Sequence, residues 1–352
     1  MRALALLVVV TAIASATPAI AQSPARISLL VGFGPGQGND QPARPDAATF
    51  AGNRMSPDMS YDQTARFLAR RLPRHLPGSP QVEARHAPGG SGFAAARRLA
   101  SAPADCSAIA LLSANIIYAS ALRLPGADFA AHRFTWLGGV ATERWACIRR
   151  TDKPHGPMWT GTMGLGSRAD THARAMKRLA GAPLEIMSGY VSRFELIRGL
   201  ENGEIDAACG WPMRDLETRR ADWLASRRFE PFAIFSPSGK GPFAPPEDAV
   251  AAAALEALSW EADAAWPLAA PPGLPESAAR IFMDALASMA ADADAQDEAQ
   301  RAGIVLEPPP EGRVAEIVSA LHEAPGHVKH ALALLFAPQS PAPSQARPHS
   351  VR

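Results

Sequence analysis

The sequence predicts an α/β protein of two lobes, each a mainly parallel β-sheet flanked by helices, with a hinge between them. Short apolar runs at 27–32 and 108–112 alternate with helical segments such as 61–72, and glycine or small polar loops follow the runs. The same order returns in the second half, with runs at 162–165 and 184–187. Repeated strand–loop–helix units form parallel sheets, and 352 residues are enough for two domains.

The first residues have the layout of a secretory signal peptide. Arg2 gives a positive start, residues 3–20 carry no charge, and the run closes on the small-x-small pattern Ala19-Ile20-Ala21. The strongly apolar part, 4–13, is about half of the ~20 residues that a membrane-spanning helix needs. We therefore expect cleavage after Ala21 and a mature protein in the periplasm.

The charges of the chain are balanced. It has 35 basic and 34 acidic residues, for a formal net charge of +1. Proteins that bind nucleic acids or anionic membrane surfaces carry a basic surplus. The balance therefore argues against both as partners.

Three cysteines, Cys106, Cys147 and Cys209, are too widely spaced for a CxxC metal or redox motif. An oxidising compartment permits one disulfide among them, and three free buried thiols are the alternative. The sequence does not choose between these.

Three loops of the first half follow predicted strands. The loop at 33–40 leads into an irregular, Pro- and Ala-rich insertion at 37–60. A second glycine loop, 88–92, precedes a helix, and Ser113 with Ala114 follows the next strand. Ligands of parallel α/β sheets bind in the crevice beyond the carboxyl ends of the strands. We therefore expect these three loops to form one ligand-binding site.

The second half offers further polar candidates. The loop at 166–170 opens a helix that carries His172, which either caps and packs the helix or contacts a ligand. Asp206 is predicted to end a strand within the segment 203–207, where it bonds a loop N–H or a ligand donor. Trp211 either stacks on a ligand or fills the hinge. Three arginines either bind a ligand carboxylate through two N–H groups or lie on the surface: Arg144, Arg168 and Arg193.

Signatures of enzymes and cofactor sites fail on inspection. Gln37 stands where GxGxxG needs its third glycine, no P-loop lysine follows, and Phe93 breaks a GxSxG nucleophile elbow. His322 and His327 are five residues apart with Pro325 between them, which does not fit a helical zinc motif. We expect no catalytic residue, no metal and no cofactor.

The order of these pieces resembles the receptor family of tripartite tricarboxylate transporters, also called Bug receptors. The resemblance covers roughly residues 26–335. The matching pieces are the glycine loops at 33–36 and 88–92, the segment Tyr61–Arg66, the pair Ser113-Ala114, the loop at 166–172, the spacing of Tyr190 from Asp206, the Pro-Gly-x-Pro at 272–275 and the Ala-Gly at 302–303. The insertion at 37–60 departs from the compact family pattern.

The resemblance implies a type II-like periplasmic-binding-protein fold that closes on its ligand like a Venus flytrap. It implies a monomeric receptor that captures a small organic carboxylate for the membrane permease subunits of such a transporter. The alternatives are a ligand sensor for a signalling partner and a secreted enzyme. The expected ligand-binding residues are Gly34, Gly36, Tyr61, Asp62, Gly90, Ser91, Gly92, Ser113, Ala114, Ser167, Arg168, Thr171, His172, Tyr190, Asp206 and Trp211.

The expected division of the chain follows the same resemblance. It consists of a signal peptide at 1–21, a first lobe at 22–141, a second lobe at 142–260, C-terminal helices at 261–336 that return to the first lobe, and a disordered tail at 337–352.

Overall fold

The computed structural model describes residues 24–34, 61–153, 156–190, 192–236 and 246–337. The expected signal peptide, the insertion and all but the first residue of the expected tail lie outside these residues. Among the described helices, none combines the length and the apolar character needed to cross a membrane.

The described residues form ten strands and twelve α-helices, numbered along the chain. The strands are β1 (Arg26–Val31), β2 (Gln81–His86), β3 (Ala108–Leu111), β4 (Thr135–Ala141), β5 (Trp145–Arg150), β6 (Met158–Thr162), β7 (Leu184–Ser188), β8 (Ala207–Pro212), β9 (Phe229–Phe235) and β10 (Ala265–Ala270). The helices are α1 (Tyr61–Arg71), α2 (Phe93–Ala100), α3 (Asn115–Ala121), α4 (Arg168–Arg178), α5 (Arg193–Asn202), α6 (Met213–Thr218), α7 (Ala221–Ala225), α8 (Ala249–Ser259), α9 (Glu276–Ala291), α10 (Ala293–Arg301), α11 (Arg313–Glu323) and α12 (Gly326–Phe336).

The strands form two five-stranded sheets with the same plan. The first has the order β2-β1-β3-β10-β4, and β10 runs against the other four strands. The second has the order β7-β6-β8-β5-β9, and β5 is the reversed strand. Helices flank both sheets. The predicted two-lobed α/β fold with mainly parallel sheets is confirmed.

The central strands are apolar along their whole length because helices cover both faces of each sheet. All four residues of β3 and all six of β10 are buried. The apolar core runs through both lobes, from Leu29 and Leu111 in the first sheet to Cys147 and Phe235 in the second.

The crossings between the lobes fix which edges of the sheets face each other. β10 begins at Ala265 beside Ala141, the last residue of β4, so the chain enters the first sheet at its carboxyl edge. β5 begins at Trp145, which pairs with Pro212 at the end of β8 and with Phe235 at the end of β9. The crossing therefore also lies at the carboxyl edge of the second sheet. Both carboxyl edges therefore lie at the crossings between the lobes.

The C-terminal helices pack in two groups. Helices α9 and α11 pack on β4, and α10 packs on α9. The last helix, α12, packs on α8 and on α4. Tyr118 of α3 joins this group, since its hydroxyl donates to the carbonyl oxygen of Ala257 at 2.7 Å.

A disulfide joins Cys147 of β5 to Cys209 of the neighbouring β8, and both residues are buried. This resolves the pairing that the sequence left open, with Cys106 as a free, half-buried thiol. Such a bond is typical of proteins in an oxidising compartment.

Replacing Cys147 and Cys209 together by alanine is expected to lower the free energy of unfolding by up to about 4 kcal/mol, because the bridge joins residues 62 positions apart. Urea unfolding followed by circular dichroism measures this. Cys106→Ser is the control and should leave the midpoint unchanged. Equal midpoints for the double variant and the natural protein would contradict the assignment.

Candidate functional site

Two loops at the carboxyl edge of the first sheet touch backbone to backbone. A Cβ atom added to Gly32 would lie 2.5 Å from the Cα atom of Gly92, closer than real Cβ atoms approach. Gly92 itself has φ +95°, a conformation that favours glycine. The loops after β1 and β2 therefore form one surface, on which Gly89 and Gly90 are exposed.

The start of α1 is held against these loops. The ring of Tyr61 stacks on Phe33 with centroids 4.4 Å apart. Oδ1 of Asp62 accepts from Nε of Arg66 at 2.9 Å and lies 3.1 Å from Nε2 of His86. Nδ1 of His86 lies 2.7 Å from the carbonyl oxygen of Phe33. The His86 ring therefore lies between a carboxylate oxygen of Asp62 and the backbone carbonyl oxygen of Phe33.

His86 is a site residue that the sequence reasoning missed. It ends β2 and ties together the loop after β1, the start of α1 and the loop before α2. Its position immediately before the Pro-Gly-Gly loop was the available signal.

The other expected residues of the first lobe are placed as follows. Ser113 is buried after β3, and its hydroxyl donates to Oδ1 of Asn115. Ala114 is buried immediately before α3. Gly34 is buried beyond β1. Gly36 and the side chain of Ser91 lie outside the described residues.

In the second lobe, the loop between β6 and α4 is fixed by its own hydrogen bonds. The Ser167 hydroxyl donates to the carbonyl oxygen of Gly164 at 2.8 Å and accepts from the amide of Asp170 at 3.3 Å, which caps α4. Thr171 is buried, and its amide donates to the carbonyl oxygen of Ser167. Leu165, at the tip of this loop, is 50% exposed.

Arg168 and His172 bind a carboxylate that belongs to the chain itself. Nε of Arg168 lies 3.0 Å from Oε1 of Glu261, and Nε2 of His172 lies 2.7 Å from the same oxygen. The Arg168 guanidinium also stacks 3.8 Å over the ring of Trp145, and the fully buried His172 stacks on Phe235. Glu261 lies in the turn before β10, so this cluster joins α4 of the second lobe to the first sheet.

The cluster sets the ionisation of Glu261. Burial alone would raise the pKa of this carboxyl group, but the charges and hydrogen bonds of Arg168 and His172 outweigh burial and lower its pKa from 4.5 to about 2. Sequence reasoning missed Glu261 because it lies 93 positions from Arg168 and in no motif.

Tyr190 and Trp211 pack inside the second lobe. The Tyr190 ring covers Gly161 and Gly199, where added Cβ atoms would lie 3.0 and 3.1 Å from its carbons. Trp211 is 1% exposed and donates from Nε1 to Asp215 at 2.9 Å. The other two arginines predicted to bind a carboxylate lie outside the Arg168–Glu261 cluster. Arg144 pairs with Glu217, and Arg193 lies over the Trp211 ring.

The prediction that Asp206 ends a strand is wrong. β8 runs from Ala207 to Pro212, so Asp206 precedes it at the amino edge, opposite the crossings between the lobes. There Oδ2 accepts from the amide of Trp159 at 3.0 Å, and Oδ1 lies 3.0 Å from Nζ of Lys153. The strand runs on to Pro212, so the sequence placed its bounds too early. Asp206 holds β8 to β6.

Gly32→Ala is expected to destabilise the fold by about 1–3 kcal/mol, because the added methyl must push the Gly92 backbone away. Gly326→Ala at the start of α12 is the matched control, since its Cβ would meet no atom within 4 Å. Denaturant unfolding of both variants measures the difference. A Gly32→Ala protein as stable as Gly326→Ala would refute the close approach of the loops.

Glu261→Gln is expected to remove part of the acid dependence of stability. The folded pKa lies below the ordinary 4.5, so the ionised group stabilises the protein above pH 4.5, and this contribution is lost as pH falls towards 2. The ionised Glu261 contributes on the order of 3 kcal/mol to the free energy of unfolding. The free energy of unfolding, measured from pH 7 to 2, should fall less steeply in Glu261→Gln.

Glu217→Gln, in an exposed ion pair with Arg144, is the matched control and should behave like the natural protein. Identical pH profiles for Glu261→Gln and the natural protein would contradict the ionisation assigned to Glu261.

No family model and no curated protein matches the sequence. Solved structures match it through the fold. A TctC solute-binding protein from Polaromonas, solved without ligand, is 15% identical, with 88% of this chain and 99% of that chain covered and a TM-score of 0.63. MatC from Rhodopseudomonas palustris, solved with malate, is 17% identical, with 88% and 99% covered and a TM-score of 0.52.

A second R. palustris protein, solved with adipate, is 16% identical, with 89% of this chain and 98% of that chain covered and a TM-score of 0.53. These likenesses span nearly the whole of each neighbour. The chain therefore has the two-lobed α/β fold of TctC-type solute-binding proteins, and the resemblance in its sequence is confirmed at the level of the fold.

Proposed function

We propose that this protein is an exported receptor that captures a small organic carboxylate between its lobes and delivers it to the permease of a tripartite tricarboxylate-type transporter. The observation that carries the proposal is the meeting of two carboxyl edges at the hinge, each lined by glycine-rich loops and helix starts. Ligands of α/β sheets bind at such edges.

The first lobe is the side that suits a carboxylate. The loop after β2 is exposed at Gly89 and Gly90 and leads directly into α2. Backbone N–H groups at the start of a helix favour an anion. His86 ends β2 just before this loop and links it to Phe33 and Asp62. The malate and adipate in two structural neighbours are carboxylates and give the first probes.

A binding role suits the site better than a catalytic one. The polar side chains at the cleft are used to hold loops in place: Asp62 bonds Arg66, and Ser113 bonds Asn115. Export to the periplasm is supported by the signal-peptide pattern in the sequence of residues 1–21 and by the disulfide between Cys147 and Cys209. We therefore propose a periplasmic protein that is not an enzyme.

Ligand capture is proposed to close the lobes about the crossings at 142–144 and 260–264. The Arg168–Glu261 pair keeps the start of α4 against one crossing, so the loop before α4 lies beside the cleft. A ligand that contacts both lobes favours the closed form through its differential affinity.

A thermal-shift screen of the mature protein against mono-, di- and tricarboxylates, with amino acids for comparison, is expected to single out one carboxylate class. A ligand that binds only the folded state adds about 2.7 kcal/mol of stability at a hundredfold excess over its dissociation constant.

Asp62→Asn is expected to weaken binding of that carboxylate at least about tenfold, because it loosens Tyr61 and His86 from the loops.

Asp152→Asn, which alters an exposed ion pair with Arg150 at the amino edge of the second sheet, is the control and should bind like the natural protein. A panel without any carboxylate response would refute the proposed ligand class. Unchanged affinity in Asp62→Asn would remove that residue from the site.

A further inference from the structure

Leu165 is a large apolar side chain that faces solvent in the loop after β6, at the carboxyl edge of the second sheet. It is 50% exposed, and among the described residues only Leu334 is a comparably exposed large hydrophobic. The flanking Gly164 and Gly166 have φ +108° and +78°, and added Cβ atoms there would meet no atom within 4 Å. The surface around Leu165 is therefore open.

The loop presents Leu165 from a fixed backbone. The Ser167 hydroxyl donates to the carbonyl oxygen of Gly164 and caps α4, so hydrogen bonds hold the backbone on either side of Leu165. Where the loop leaves β6, the hydroxyls of Thr162 and Ser188 lie 3.1 Å apart and join the ends of β6 and β7. An apolar side chain held in this way can contribute to binding without a large cost of ordering.

The basic side chains that follow this loop already contact a carboxylate of the chain. Arg168 and His172 both meet Oε1 of Glu261, a residue only 8% exposed. A second carboxylate of a ligand would have to compete with Glu261 for them, and displacing one partner of a buried charge cluster is costly. The second lobe therefore offers a ligand hydrocarbon contact in preference to a second ionic one.

We propose that the ligand carries a single carboxylate, which the first lobe takes, and a hydrocarbon chain, which Leu165 of the second lobe contacts. The inference rests on the proposed function, since it assumes that the cleft binds a carboxylate. It assigns Leu165 as a specificity-determining residue and an apolar monocarboxylate as the ligand class.

The test is calorimetric titration with hexanoate and adipate, which share a six-carbon chain and differ in a terminal methyl or carboxylate. Hexanoate is expected to bind at least about tenfold more tightly, and affinity should rise about fourfold per methylene from butyrate to hexanoate. Leu165→Ser should reduce the affinity for hexanoate and leave that for acetate within about twofold.

Leu334→Ser, at the exposed leucine of α12, is the matched control and should leave both affinities unchanged. Adipate binding as tightly as hexanoate, or Leu165→Ser binding hexanoate like the natural protein, would overturn the inference while the carboxylate receptor stands. Binding of none of these acids, with a response to none in the wider carboxylate panel, would overturn both.

Discussion

The buried carboxylate of Glu261 is the interaction on which the junction of the lobes depends. A carboxylate this far from water is costly unless it is paired, and its partners, Arg168 and His172, both come from α4 of the second lobe. Glu261 itself precedes β10, the reversed strand of the first sheet. The charge thus holds the start of α4 beside a crossing while the glycine-rich loop before α4 stays open.

The reversed strands give this junction its geometry. Because β5 and β10 each enter a sheet at its carboxyl edge, the loops that end the other strands face each other across the hinge. The first lobe uses that edge for backbone contact, with Gly32 against Gly92 and His86 beneath. The second lobe uses it for a capped loop with Leu165 at the tip. The first lobe thus presents polar backbone groups and the second an apolar side chain, so a ligand with one polar and one apolar end would bind in a single orientation.

Local signals in the sequence were enough to predict the fold and the strand-end loops. Glycine positions and apolar periodicity depend on neighbouring residues, so the loops near 33, 90 and 166 were recognisable. Contacts between distant residues were not: the disulfide of Cys147 with Cys209 and the ion pair of Arg168 with Glu261 depend on strand order. Asp206 shows the cost of a small error in strand bounds, since a strand that begins after it places it at the opposite edge.

The central claim is that the two carboxyl edges bound a cleft that closes on a carboxylate. Small-angle X-ray scattering of the mature protein, with and without the acid that gives the largest thermal shift, tests it most directly. Closure about the crossings predicts a smaller radius of gyration in the saturated sample, and the Asp62→Asn variant should need more acid to reach it. An unchanged radius at saturating acid would contradict closure and place the ligand outside the cleft.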